Sequence, residues 1–156
     1  MTQPVLFLDF DGVLNSSRFF TARLAAKLPI TSADDRVDPA AVALLNRIVD
    51  TLDPMFVAST TWRHAYSTGA LTRCLRGHGF KGRIQSATPL NGYAERGGEI
   101  QAWMTVHGVT ADRIVILDDN DDMEHLSPRL VRTSDRDGLT ALDVARATSM
   151  LLWAKL

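Results

Sequence analysis

A chain of 156 residues with 17 basic and 18 acidic side chains, 46% hydrophobic residues and one cysteine has the balance of an ordinary globular domain, long enough to bury roughly 70% of the surface its unfolded form exposes. Near-neutral charge argues against a non-specific polyanion binder and leaves a local basic groove open. The lone Cys74 excludes an internal disulfide and a cysteine zinc cage, and it reads as a small buried hydrophobe in a helix.

No apolar run approaches the roughly 20 residues that span a bilayer. Met1-Thr2-Gln3-Pro4 leads straight into a strand-like segment without the charged and apolar regions of a leader. A single cytoplasmic domain over 1–156 is expected, with no membrane contact and its oligomeric state open.

In chain order, Val5-Leu6-Phe7-Leu8 is a short continuous apolar run, which fits a strand buried on both faces, as in a parallel sheet. An Arg- and Ala-rich stretch over 18–28 and a turn-like 31–35 follow. Asp38 can cap a helix that has Pro39 at its first position and Val42, Leu45, Ile48 and Val49 at helical spacing. Met55-Phe56-Val57-Ala58 predicts a second buried strand, 70–76 a helix ending near Gly77 or Gly79, and 83–86 a weak third strand. The amphipathic segment 99–107 predicts a helix closed by Gly108, in which Glu99 belongs to the first-turn cap. A strand over 113–117, a minor strand at Leu130-Val131 and a closing helix over 139–152 complete the reading. Trp103 and Trp153 are placed on helix core faces. Alternation of strands and helices predicts an α/β fold, a three-layer sandwich with a mainly parallel central sheet.

Three of the buried strands run into polar clusters: Asp9-Phe10-Asp11-Gly12, Ser59-Thr60-Thr61 and Asp118-Asp119-Asn120-Asp121-Asp122. In open α/β sheets the ligand crevice lies beyond the carboxyl ends of the strands, so these clusters should converge. Asp9 and Asp11, two residues apart where a strand ends, can face one side. Crowding them with Asp118 and Asp119 would raise carboxyl pKa values, which a hard cation relieves; an all-oxygen set suits Mg2+. A carboxylate nucleophile forming an aspartyl-phosphate needs a neighbour to protonate the leaving alkoxide, and Asp11 is placed for that. Gly12 would let the chain turn and bring N–H groups to a phosphate, and the hydroxyls of Ser59 and Thr60 could donate to its oxygens. A cation opposite the metal is also wanted.

Phe7-Leu8-Asp9-Phe10-Asp11-Gly12-Val13-Leu14-Asn15 resembles the first motif of the haloacid dehalogenase (HAD) superfamily, Asp-x-Asp-Gly-(Val/Thr)-Leu. Phe56-Val57-Ala58-Ser59 is similar to the second and Val115-Ile116-Leu117-Asp118-Asp119 to the fourth. The resemblance implies a HAD-like, Rossmann-like fold and a magnesium-dependent phosphomonoester hydrolase. In it, Asp9 is nucleophile and metal ligand, and Asp11 is acid/base with its backbone carbonyl on the metal. Ser59 binds phosphate, Asp118 and Asp119 complete the metal site, and Asp122 is a ligand or an outer acid. The family's third-motif Lys is missing. Arg96 is the natural stand-in, since its fork grips phosphate bidentately; Lys81 precedes the third strand, which is the wrong place. Arg63, just after the phosphate-binding turn, is a further candidate contact, and Trp62 reads as packing. The histidines share no metal-ligand spacing.

Ser-Thr-Thr-Trp-Arg, Arg-Gly-Gly-Glu-Ile-Gln-Ala-Trp and Val-Ile-Leu-Asp-Asp-Asn-Asp-Asp-Met look like the small HAD domains found alone or fused in multi-domain RNA-repair proteins. That implies a phosphorylated small molecule or a nucleic-acid end as substrate. About 40 residues separate the first two motifs, which leaves room for a minimal cap. Two other readings stay open: a binding or regulatory module that has lost turnover, against which the Asp9/Asp11 pair argues, and a phosphotransferase or dehalogenase on the same scaffold. Dehalogenation does not need the second Asp or the magnesium cluster.

Overall fold

The computed structural model describes residues 3–90 and 95–155; the leader reading at Met1 and Thr2 falls outside them. Five strands, β1 (Val5–Leu8), β2 (Met55–Ala58), β3 (Ile84–Ala87), β4 (Ile114–Asp118) and β5 (Leu130–Arg132), form one sheet in the order β3-β2-β1-β4-β5. Every pairing is parallel. Among the described residues five α-helices accompany them: α1 (Ser17–Ala25), α2 (Pro39–Leu52), α3 (Thr68–Gly77), α4 (Arg96–His107) and α5 (Ala141–Lys155). None of these is long and apolar enough to cross a membrane.

The continuous apolar strands are continuous because both faces of the sheet are covered. Leu6 and Leu8 of β1 point into one core with Leu45 of α2, Leu75 of α3 and Leu151 of α5. Val5 and Phe7 point into the other with Ile100, Trp103 and Met104 of α4. Phe7 meets Trp103 edge to face with ring centres 5.3 Å apart. The three-layer α/β expectation holds. Trp153, by contrast, is not a core residue: it is 72% exposed. The buried stripe of α5 runs through Val144, Ala147 and Leu151, and at 3.6 residues per turn Trp153 lies across the helix from it.

Side-chain caps start three of these helices, the expected Asp38 among them. Ser16, Asp38 and Ser67 accept from the backbone N–H groups of Phe19, Ala40 and Ala70. In α4 the start is different. Glu95 makes no side-chain cap, and the first free N–H groups, those of Arg96 and Gly97, reach the Asp122 carboxylate (3.3 Å) and carbonyl (3.0 Å). A Cβ on Gly97 would overlap the backbone of Met123, so helix and loop meet at a contact that only glycine permits.

Gly97→Ala is therefore expected to destabilise the protein by about 1–3 kcal/mol through overpacking. Gly77→Ala, where an added Cβ meets nothing within 4 Å, should stabilise it by about 0.4–1 kcal/mol. Thermal or urea unfolding of the two variants reads the opposite signs.

Candidate active site

The chain order reverses between β1 and β4, the adjacent pair at which the sheet switches direction of growth. Both strands deliver acids to that crevice, Asp9 just after β1 and Asp118 at the end of β4. Carboxylate oxygens of Asp9, Asp118 and Asp119 lie within 4.8 Å of one another. Asp9 and Asp118 are buried. Burial holds the Asp9 carboxyl above its usual range, against the pull of Arg96. Burial, and then the neighbouring Asp9, push Asp118 up to about 7, again with Arg96 opposing.

Arg96 opens α4 and answers part of this charge. Its Nη1 lies 2.9 Å from Asp118 Oδ2 and 3.1 Å from Asp9 Oδ1. The peptide N–H of Phe10 donates to the same Asp9 oxygen at 2.9 Å, and that of Asn120 to Asp118 Oδ1 at 2.9 Å. One guanidinium facing three carboxylates leaves net negative charge among oxygen donors, and that donor set fits a hard divalent ion. Asp122 is not in the group: it serves the start of α4, and its Oδ1 is buried without a partner among the described residues. Asp121 is exposed, 3.5 Å from Arg132.

Asp11 stands apart from the acid cluster, with a side chain 46% exposed. Asn15 Nδ2 donates to its Oδ1 at 2.9 Å, and Trp62 Nε1 donates to its Oδ2 at 3.0 Å. Arg36 adds a cation at 3.9 Å. Asn15 also receives the Gly12 N–H at 2.9 Å and donates to the Arg36 carbonyl. The amide of Gly12 is thus engaged by Asn15, and the free donor expected there for a phosphate is not available. What the glycine supplies is space. Its φ is +79°, and a Cβ would overlap the Asp119 carboxylate.

Of the second-strand cluster, Ser59 is fully buried, and its Oγ has no partner among the described residues. Thr60 Oγ accepts from the Trp62 N–H at 3.3 Å and caps the short turn Thr61–His64. Arg63 departs from expectation. It is buried, its Nε donates to Thr88 O (3.1 Å) and its Nη1 to Thr60 O (2.7 Å), and its Nη2 pairs with Glu99. With its donors so engaged it braces the turn after β2 and does not offer them to a phosphate. Glu99 correspondingly acts as the partner of Arg63 rather than as a cap. Lys81 is far from this constellation, paired with Asp50 at 3.0 Å. Cys74 is half-buried in α3, and burial pushes its thiol up to about 12.

The grip on Asp11 is not legible in the local sequence: Asn15 lies inside the first motif, but nothing nearby in the chain links Trp62 or Arg36 to Asp11. For Trp62 the available signal was an aromatic N–H donor directly after the second-strand cluster.

Residues 5–144 match the family described as the HAD domain in Swiss Army Knife RNA repair proteins. No curated protein matches in sequence. Among solved structures the chain resembles SP0104 of Streptococcus pneumoniae, described as a haloacid dehalogenase-like hydrolase, with a TM-score of 0.52 and 12% identity over 93% of this chain and 90% of that one. At that identity the likeness concerns the fold. The family match spans most of the chain, and the chain therefore belongs to the family of HAD domains of Swiss Army Knife RNA repair proteins.

Proposed function

We propose that this protein is a magnesium-dependent phosphomonoester hydrolase with Asp9 as nucleophile and Asp11 as general acid/base. The observation that carries the reading is the division of labour among its acids. Asp9 lies with Asp118 and Asp119 in a buried cluster, while Asp11 is held apart by Asn15 and Trp62 at the crevice mouth. Two carboxyl groups in different surroundings suit different roles.

Asp9 Oδ1 is fixed by the Phe10 N–H and Arg96, which leaves Oδ2 to attack phosphorus. The new Oδ2–P bond forms as the bond from phosphorus to the leaving oxygen breaks, and Asp11 gives that oxygen its proton. A water then attacks the aspartyl-phosphate and passes a proton to Asp11; inorganic phosphate leaves and Asp9 is restored. The unpartnered Ser59 hydroxyl suits a phosphoryl oxygen, as does Arg96 from the side of α4. Asp9, Asp119, Asp118 and the backbone carbonyl of Asp11 would hold Mg2+, which when bound neutralises charge developing on the phosphoryl oxygens. Thr60 and Gly12 shape this pocket, and Arg63 keeps its second-strand turn in place. The family's description points to phosphorylated nucleic-acid ends as the first substrates to try.

Turnover of an aryl phosphate with magnesium should vanish with chelator and return when the metal is restored. Asp9→Asn should lower it by at least about 10⁴-fold. Activity that persists in the variant rules out this mechanism.

A second expectation concerns pH. Asp118 titrates near 7 in the folded chain against 3.8 otherwise. A raised folded pKa contributes stability that is fully present below 3.8 and lost as pH rises through about 7. Metal-free protein should therefore melt lower at pH 8 than at pH 6. Magnesium, which needs the ionised carboxylate, should raise the melting temperature more at pH 8 than at pH 6. Equal metal-induced shifts at the two pH values count against Asp118 as a ligand.

Gly12→Ala should lower magnesium affinity by displacing Asp119, read as a higher metal concentration for half-maximal activity.

A further inference from the structure

Among the described residues, the Asp11 carboxyl is met only by donors. Asn15 Nδ2 reaches its Oδ1 at 2.9 Å, Trp62 Nε1 reaches its Oδ2 at 3.0 Å, and Arg36 Nη2 stands 3.9 Å from Oδ1. An indole N–H cannot accept a hydrogen bond, and neither can an amide NH2 or a guanidinium. The one acceptor on these three side chains, Asn15 Oδ1, is taken by the Gly12 N–H at 2.9 Å. That bond, with the one from Asn15 Nδ2 to the Arg36 carbonyl, fixes the amide, because turned over it would set N–H against N–H. A proton on Asp11 therefore finds no acceptor among these neighbours and stays available to a substrate oxygen.

The carboxyl is also held at both ends. The torsion that turns an aspartate carboxyl is broad and roughly two-fold, so an acid with one partner sweeps a range of directions. Asn15 holds one oxygen from inside the first motif, and Trp62 holds the other from the turn after β2, 51 positions away. Neither anchor is free to follow a wandering acid. Asn15 is buried, and so is Trp62, which packs on Phe10 with ring centres 5.0 Å apart. Arg63, next in the chain, ties the same turn to the carbonyls of Thr60 and Thr88. The Asp11 side chain is 46% exposed, so water could satisfy its oxygens just as well. What two fixed donors add, and water does not, is a direction. Asp11, Arg36 and Trp62 together line a concavity of about 480 Å3, which gives a leaving group room beside the acid.

On the phosphatase reading, on which this step rests, the bond from phosphorus to the leaving oxygen breaks, its electron pair stays on that oxygen, and the Asp11 proton transfers to it. Such a transfer needs the acid aimed and within hydrogen-bond reach as the bond breaks. We infer that Trp62 is a positioning residue for this step: through its indole N–H it aims Asp11 at the leaving oxygen, with Asn15 as the opposite anchor. The consequence is selective. An oxygen that departs as a stable anion does not need the proton, whereas an alkoxide does, so the contribution of Trp62 grows with the basicity of the leaving group. A tryptophan that only filled space would serve all esters equally.

The test is the leaving-group dependence of kcat/KM, which reports the steps up to release of the leaving group. Phosphate monoesters run from p-nitrophenyl, which departs without a proton, through phenyl to a simple alkyl. In Trp62→Phe, kcat/KM should fall about 10- to 100-fold for the alkyl ester and less than about threefold for the p-nitrophenyl ester, since a placed general acid contributes about 10²–10⁴-fold. Because Trp62 is buried, a second variant separates the N–H from the packing. Replacing Trp62 by benzothienylalanine keeps the bicyclic ring and puts sulfur where the N–H was, and the same selective loss is expected. In an Asp11→Asn background, Trp62→Phe should cost nothing further, because with no proton to deliver there is none to aim. Equal loss across the series in both variants, or no loss with the sulfur isostere, overturns the inference. If the unaltered protein turns over none of these esters with magnesium, the phosphatase reading fails and this inference with it; parallel losses in an active enzyme remove the positioning role alone.

Discussion

Like charges brought together where two adjacent parallel strands end set the conditions for everything else in this fold. The strand pair β1 and β4 is in register, Leu8 beside Leu117, so the next residues of both strands, Asp9 and Asp118, must share a small, poorly hydrated space. Asp119 adds a third carboxylate. Such a cluster is tolerable only with compensating charge nearby. The chain provides one fixed cation, Arg96, and a vacant volume at Gly12 into which Asp119 fits. The remaining negative charge, carried by oxygen donors, suits a hard ion.

Placing that cation is the work of the surrounding frame. Arg96 heads α4, and α4 is fastened at its first turn to the loop after β4 through Asp122 and the close approach at Gly97. Three residues further along, Glu99 pairs with Arg63, whose other donors hold the carbonyls of Thr60 and Thr88. The helix is thereby tied to the turns after β2 and β3 as well as to the one after β4. A buried pair of this kind contributes little net stability, yet removing one partner strands the other charge. Its consequence is geometric: the serine, the arginine and the acids keep a common reference.

Much of this was legible in the sequence, and the division follows the range of the interaction. Strands announce themselves by local apolar runs, and acids at their ends are placed by topology alone, so the sheet and the acidic pairs could be read directly. Arg96 was recoverable because its place at the head of a helix is a local property. Arg63 and Glu99 meet across 36 positions, and the bond from Trp62 to Asp11 spans 51; nothing local encodes either. Trp153 failed for another reason. An aromatic near a helix end reads as core, although two residues beyond Leu151 the helix has already turned to solvent.

The indole of Trp62 belongs to three environments at once. It rests on Phe10 with ring centres 5.0 Å apart, it donates to Asp11, and it lines the concave surface beside that carboxylate. The chain has three tryptophans, of which Trp103 is packed on Phe7 and Trp153 stands in solvent. Trp62 is thus the intrinsic chromophore in contact with the site. Because its N–H donates to Asp11, a change of charge at that carboxylate alters the surroundings of this indole and with them its emission.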